Sequence, residues 1–294
     1  MKVLITGSNG LLGQKIVKQL LKKEVEFLAT SLGENRFSKC PKSKYKSLDI
    51  TNKKQINNVI STYKPTHIIN TAAITNVDYC EEHQAICQNV NVNAVQLLFD
   101  ICKQHNIHFT HLSTDFVFDG KKGPYKETDT PNPLSVYAIS KFNSEQILIN
   151  DNYKNWAIVR TIIVYGQGEN LSRSNIVLWA KSALAEGKTL TIVDDQFRAP
   201  TWADDLAWGC IQVAKKSAKG IFHVSGPKTM SIYELVLQIA DFYGYDKSLI
   251  QPIKSSTLNQ KAPRPPKTGF IIEKAELELG YKPKTFLNTL SLIN

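Results

Sequence analysis

The sequence predicts an α/β protein in which a doubly wound parallel sheet is followed by a smaller α+β C-terminal lobe, and three observations carry that prediction. An apolar run, KVLIT at residues 2–6, breaks at glycines and gives way to a helical pattern. Short β-branched runs then alternate with amphipathic stretches, the pattern of buried parallel strands joined by crossover helices. Beyond residue 166 the alternation stops and prolines gather in KAPRPPKTGF. The expected division is residues 1–166 in the sheet domain, with 203–225 returning to it, and 167–294 mainly in the lobe.

Each element follows from its own pattern. In LLGQKIVKQLLKK, Leu12, Ile16 and Leu20 recur every four residues and define one helix face. The runs VEFLAT (25–30), THIINTAA (66–73) and IHFTHLS (107–113) read as strands, and 53–63 and 81–105 as helical stretches between them. WAIVRTIIVYG (156–166) closes the first half. In the second half, 172–186 and 231–243 read as helices and TLTIV and LIQPI as strands, while ADDLAWGCIQVAKK and GIFHVSG rejoin the sheet.

Composition excludes several classes. Hydrophobic residues at 42% and charged residues at 21% describe an ordinary globular protein. No apolar run approaches the ~18 residues that span a bilayer, and Met1-Lys2 enters VLITG without a targeting segment, so a cytoplasmic protein with no membrane partner is expected. Five cysteines, an odd number without C-x-x-C spacing, argue against a disulfide framework and a zinc site. His105, His108 and His111 straddle a helix end and the next strand, so no metal site is expected. The net charge of +10 is uneven, with twelve Lys and Arg against four acids in residues 1–60. Such a field attracts anions. Without interleaved aromatics it favours a phosphorylated small molecule over a nucleic acid.

The chemistry-bearing residues begin at the first βα junction. Gly7, Gly10 and Gly13 in GSNGLLG let backbone approach a pyrophosphate, whose charge suits the free N–H groups of a helix start. A Rossmann dinucleotide site is the expectation. An acid at the end of the second strand would grip a ribose 2′-hydroxyl. Thr30 and Ser31 stand there instead and Arg36 follows, which favours NADP(H) and leaves NAD(H) open.

A tyrosine four residues before a lysine occurs in VYAISK, at Tyr137 and Lys141, and again at Tyr243 and Lys247. With 11 tyrosines and 31 lysines in 294 residues, about one such pair is expected by chance, so context must choose between them.

That context is a resemblance. TGSNGLLG, NTAA (70–73), Asn93 in NVNA, LSTDFVFDG and YAISK together resemble the extended short-chain dehydrogenase/reductase family almost from end to end. Within it, AAITNVDYCE, STDFVFDGKKGPYKETDTPNPLSVYAISK, DQFRAPTWADDLA and APRPPKTG resemble the dTDP-4-dehydrorhamnose reductase subfamily. The resemblance implies reduction of the C4 keto group of a dTDP-linked 4-keto-6-deoxysugar, with a nucleotide-sugar ligand, no nucleic-acid partner, and room for a homodimer. It implies catalytic roles for Thr114, Tyr137, Lys141 and Asn93. It implies cofactor contacts from Gly7, Asn9, Gly10, Leu11, Leu12, Gly13, Ser31, Arg36, Asp49, Ile50, Ala72, Ala73, Ile74, Tyr137 and Lys141, and substrate contacts from Val77, Thr114, Asp115, Phe116, Ile163 and Arg198.

Residues four apart share a helix face, so the Lys141 ammonium can lie beside the Tyr137 phenol and favour its ionised form. Tyr137 is then the proton donor to the carbonyl oxygen and Thr114 its second hydrogen-bond donor. The subfamily usually has tyrosine at Phe116, tryptophan at Ile163 and glycine at Arg198; an arginine there can clamp a diphosphate, whereas the usual finding at a loop is an exposed arginine with no partner. Three other readings share these motifs. A 4,6-dehydratase resembles TDE where this chain has Phe116. A 4-epimerase uses the same Tyr and Lys but keeps its cofactor. The regulatory subunit of methionine adenosyltransferase is a dinucleotide-binding partner protein rather than an enzyme in its own right.

Overall fold

The computed structural model describes residues 1–293. Strands β1 (Lys2–Thr6), β2 (Glu26–Ser31), β3 (Tyr45–Ser47), β4 (His67–Asn70), β5 (His108–Thr114) and β6 (Trp156–Thr161) alternate with helices α1 (Leu11–Lys22), α2 (Lys53–Tyr63), α3 (Val77–Glu82), α4 (Gln84–Gln88), α5 (Ala94–His105) and α6 (Val136–Ile149). Then follow β7 (Val164–Tyr165), α7 (Ile176–Ala185), β8 (Leu190–Val193), β9 (Phe197–Arg198), β10 (Thr201–Trp202), α8 (Ala203–Lys215), β11 (Gly220–His223), β12 (Met230–Ser231), α9 (Ile232–Tyr243), β13 (Ile250–Ile253) and α10 (Phe286–Leu290).

Seven strands form one parallel sheet in the order β3-β2-β1-β4-β5-β6-β11. The order reverses between β1 and β4, and ligands of such sheets bind at that crevice, beyond the strands' C-terminal ends. Two differences from the sequence expectation are local. The short β3 carries no apolar alternation, because Lys46 and Ser47 face solvent. The stretch 81–105 is broken into α4, a π-turn at Asn89–Asn93 and α5.

The sheet's two faces bury different cores. Val3, Ile5, Ile69, Val159 and Phe222 pack against α1 and α8, through Ile16, Leu20, Leu206 and Val213. Leu4, Ile68, Phe109 and Ile158 pack against α2 and α5, through Ile56, Leu98 and Phe99. One rung further toward the crevice this second face turns polar. Thr6, Asn70 and His111 are direct neighbours across β1, β4 and β5, all buried. Helix α6 covers them with Lys141, Ser144 and Glu145, which are also buried. The C-terminal lobe has its own core, in which Val177 and Leu184 of α7, Leu235 and Ile239 of α9, Ile192, Ile250 and Phe286 meet. It is tied to the sheet domain by Gln14, whose side chain donates to the Glu169 carbonyl at 2.7 Å and accepts from the Glu169 N–H at 2.8 Å.

Glu145 is the charge most deeply enclosed. Arg160 of β6 grips it with two parallel hydrogen bonds, Nε to Oε1 at 2.9 Å and Nη2 to Oε2 at 2.6 Å, and both side chains are at most 1% exposed. Removing one partner leaves the other ion stranded, which costs about 3–5 kcal/mol. Arg160→Met is therefore expected to lose about that much in chemical denaturation, and adding Glu145→Met to recover most of it.

Candidate active site

The glycine turn builds one wall of the site. Gly7 sits in the left-handed region, and a Cβ on it would stand 2.6 Å from the Ala72 nitrogen; one on Gly13 would stand 2.4 Å from the Gly7 carbonyl oxygen. These two glycines are required by the protein itself. Gly10 is different: its φ is −76°, and an added Cβ would meet nothing closer than 3.4 Å. It begins α1 without any side-chain cap and faces the crevice. A small residue there leaves the first-turn N–H groups open to an anionic ligand, as a pyrophosphate requires. Asn9 braces this turn against the loop after β2, accepting from the Arg36 N–H at 2.9 Å and donating to the Glu34 carbonyl at 2.7 Å. The Arg36 guanidinium has no ion-pair partner among the described residues and faces the same crevice.

A continuous cleft of about 770 Å³ runs from this wall to the C-terminal lobe. Of the expected cofactor residues, Gly7, Asn9, Gly10, Leu11, Leu12, Gly13, Ser31, Arg36, Asp49, Ile50, Ala72, Ala73, Tyr137 and Lys141 line it. Val77, Thr114, Asp115, Phe116 and Ile163 line its further part.

Tyr137 lies in the first turn of α6, where the Ser135 hydroxyl caps the helix by accepting from the Ala138 N–H at 3.2 Å. Glu81 accepts from the Val136 N–H at 2.8 Å and holds that end against α3. Tyr137, Lys141 and Glu145 then follow at four-residue steps on the buried face. Burial raises the Tyr137 phenol above its ordinary value; the Thr114 hydroxyl opposes this, and the Asp115 charge adds to it. Burial also lowers Lys141, to about 8, against the pull of Glu145 and the Cys87 thiol. The expectation of a phenol acidified by its lysine is thus outweighed by burial in the ligand-free protein. In a site this enclosed, desolvation favours both neutral forms, and Tyr137 remains a protonated donor. Thr114 donates to Asp115 at 3.1 Å; Asp115 in turn accepts from Thr268 and lies 3.9 Å from Arg198 Nε.

Three expected residues stand elsewhere. Asn93 is exposed, and among the described residues its side chain has only a long contact to Gln88. Asn91, two residues earlier, is fully buried instead. Its side chain accepts from the Ile74 N–H at 2.8 Å and donates to the Ile74 carbonyl at 3.0 Å and the Ser140 hydroxyl at 3.1 Å, so it pins the loop after β4 to α6. Helical spacing contained the signal, because Asn91 is in register with the buried Cys87, Val95, Leu98 and Cys102. Ile74 is held by that clasp and packs with Cys80, Cys87 and Tyr137 outside the cleft lining, where Thr71 and Thr75 take part instead. Arg198 is 2% exposed and donates to the carbonyls of Phe197, Pro265 and Pro266, so it braces the wall behind Asp115 rather than offering a free clamp. On the lobe side of the cleft the cation in the lining is Arg173, in the loop before α7. Nothing in the GENLSRSN stretch marks it beforehand.

Residues 1–293 match the family described as the RmlD substrate binding domain. The chain is 33% identical over 99% of its length to a dTDP-4-dehydrorhamnose reductase of Aggregatibacter actinomycetemcomitans, 98% of which is covered. It is 30% identical to the methionine adenosyltransferase 2 subunit beta of Bos taurus, over 87% of this chain and 76% of that one. A dTDP-4-dehydrorhamnose reductase from Bacillus anthracis, crystallised in complex with NADP, superposes with a TM-score of 0.87 at 26% identity, covering 100% of this chain and 99% of that one.

The two kinds of glycine should separate in experiment. Gly13→Ala is expected to cost about 1–3 kcal/mol of stability through overpacking. Gly10→Ala should change stability by less than about 1 kcal/mol yet weaken dinucleotide binding by about tenfold or more. Thermal melts beside fluorescence titration with NADPH check both.

Proposed function

The chain belongs to the RmlD substrate binding domain family, and from that premise we propose that it reduces the C4 keto group of a dTDP-linked 4-keto-6-deoxysugar with NAD(P)H, in the supply of dTDP-L-rhamnose. It is an NAD(P)-dependent oxidoreductase. The observation that carries the reading is that Thr114, Tyr137 and Lys141 meet in the same cleft as the Gly7–Gly13 turn. The nicotinamide supplies the hydride. All other steps fall to the chain's own groups.

Tyr137, kept protonated by burial, gives its proton to the carbonyl oxygen as the carbonyl carbon is reduced. Thr114 donates a second hydrogen bond to that oxygen, turning its hydroxyl away from Asp115. Lys141 in its charged form stabilises the phenolate that remains. Asn91 takes the supporting place expected of Asn93, holding Ser140 and the loop at Ile74. Phe116, whose ring meets Tyr137 edge-on at 6.1 Å, and Ile163 give the sugar an apolar flank. Arg173 is suited to the sugar's diphosphate, as a cation on the lobe side of the cleft. Arg36, together with the absence of an acid at Thr30 and Ser31, supports NADP(H) over NAD(H).

The direct test is NADPH oxidation in the presence of the product of a dTDP-glucose 4,6-dehydratase. One NADPH should be consumed per sugar reduced. No net oxidation while the sugar epimerises, or no turnover and capture of a methionine adenosyltransferase, would reject the reductase reading. Tyr137→Phe is expected to lower kcat by about 10²- to 10⁴-fold with little change in NADPH affinity. Arg36→Ala should weaken NADPH by about tenfold, near 1.4 kcal/mol, and leave NADH almost unchanged, as read by paired titrations.

A further inference from the structure

Behind Lys141, on the side away from the cleft, lies a closed chain of buried polar groups that the reaction does not use. The Thr6 hydroxyl donates to Asn70 Oδ1 at 2.5 Å. That separation belongs to an O–H···O bond and is too short for an amide N–H donor, so it fixes which way the Asn70 amide points. The Asn70 nitrogen therefore faces His111 Nδ1, at 3.1 Å. An amide N–H can only donate, so Nδ1 accepts and the ring proton of His111 sits on Nε2. Nε2 lies 2.9 Å from the Ser144 hydroxyl, which is free to accept because its own hydrogen goes to the Lys141 carbonyl at 2.7 Å. Every donor and acceptor in the chain is matched in this one direction.

The same Nε2 stands 3.2 Å from Lys141 Nζ, so its single proton is shared between the Ser144 oxygen at 2.9 Å and the lysine nitrogen. An ammonium there would set N–H against N–H, whereas an amine presents a lone pair to the ring proton. We propose that His111 is a positioning residue for the catalytic lysine, its Nε2–H favouring the amine form of Lys141 in the free protein and yielding to the ammonium form when a bound dinucleotide offers the lysine acceptors.

Burial lowers Lys141 and the surrounding charges oppose that, so any bias from a hydrogen-bonding neighbour toward the amine falls to His111. On Lys141's own helix, Glu145 is committed to Arg160 of β6, and Tyr137 lies one turn back as a neutral phenol. From α4 the Cys87 thiol acts on the lysine, and itself donates to Ser140. His111 faces Asn70 from β4, Lys141 and Ser144 from α6, and the ring of Phe109 on its own strand, stacked at 6.0 Å. Its full burial and the neighbouring lysine hold the ring well below its ordinary value, hence neutral. Lys141, lowered to about 8, loses its charge as pH rises through that value in the free protein. Above that pH, binding of a dinucleotide that favours the ammonium form takes up a proton.

The inference rests on the reading that Lys141 serves a dinucleotide, but the ring tautomer does not, so the two can fail separately. In the ¹⁵N-labelled protein without ligand, long-range proton–nitrogen spectra should show one neutral histidine protonated at Nε2 that disappears in His111→Gln. A ring protonated at Nδ1, or charged at neutral pH, would overturn the assignment. Calorimetry of NADP⁺ binding at about pH 9, roughly a unit above the lysine's midpoint, in two buffers of different ionisation enthalpy, reads the proton. The wild-type protein should take up close to one. His111→Gln, whose amide oxygen can accept from the ammonium, and Asn70→Asp, whose carboxylate would draw the ring proton to Nδ1, should each take up less than half as much. Uptake equal to wild type in either folded variant would refute the proposal; if neither variant folds, the His111 ring is assigned through its own side-chain correlations and the tautomer stands as the test.

Discussion

A lysine only 3% exposed, enclosed between the central sheet and α6, is the constraint on which the rest of this site depends. Burying an ammonium without compensation is so costly that the group neutralises or acquires partners. Here the enclosure supplies both routes. A polar rung of Thr6, Asn70 and His111 lies beneath Lys141, and Glu145 one turn further on adds a negative charge that Arg160 keeps in place. Helix α6 thus packs a polar stripe, Tyr137, Ser140, Lys141, Ser144 and Glu145, onto a sheet that is apolar one rung below. Such a helix contributes little hydrophobic stabilisation where its polar groups lie and is held instead by hydrogen bonds that each have a defined direction. Directional bonds fix a reactive side chain more closely than apolar contact does.

The same enclosure sets the chemistry. Desolvation raises the phenol and lowers the lysine, so each is charged less readily than it would be in water. For a reduction this is useful, because the donor must still hold its proton when the carbonyl becomes basic. The Thr114 hydroxyl, between Asp115 and Tyr137, joins this arrangement to the lobe, since Asp115 is also held by Thr268 and stands near Arg198. The wall behind the reacting oxygen is therefore made from both parts of the chain. A change in the Pro265–Thr268 segment, far from Thr114 in sequence, would be felt at that hydroxyl.

The sequence by itself determined the parallel sheet, the glycine turn and the lobe, because each depends on local and periodic signals. KVLIT followed by glycines, and Leu12, Ile16 and Leu20 at helical steps, admit few other structures. With the family resemblance it also singled out Tyr137 and Lys141 over Tyr243 and Lys247, and their four-residue spacing becomes a shared helix face as soon as α6 forms. Helical register already placed Asn91 on the buried face, but only the tertiary structure showed that it clasps Ile74 and Ser140 while Asn93 is left in solvent. The tertiary structure decided that Arg198 turns inward to three carbonyls while Arg173 lines the cleft on the lobe side, a choice set by how the lobe closes on the sheet. It decided the partners of His111 as well. Thr6, Asn70, His111 and Lys141 are scattered over 136 residues of chain, and only strand register together with the docking of α6 brings their donors and acceptors face to face.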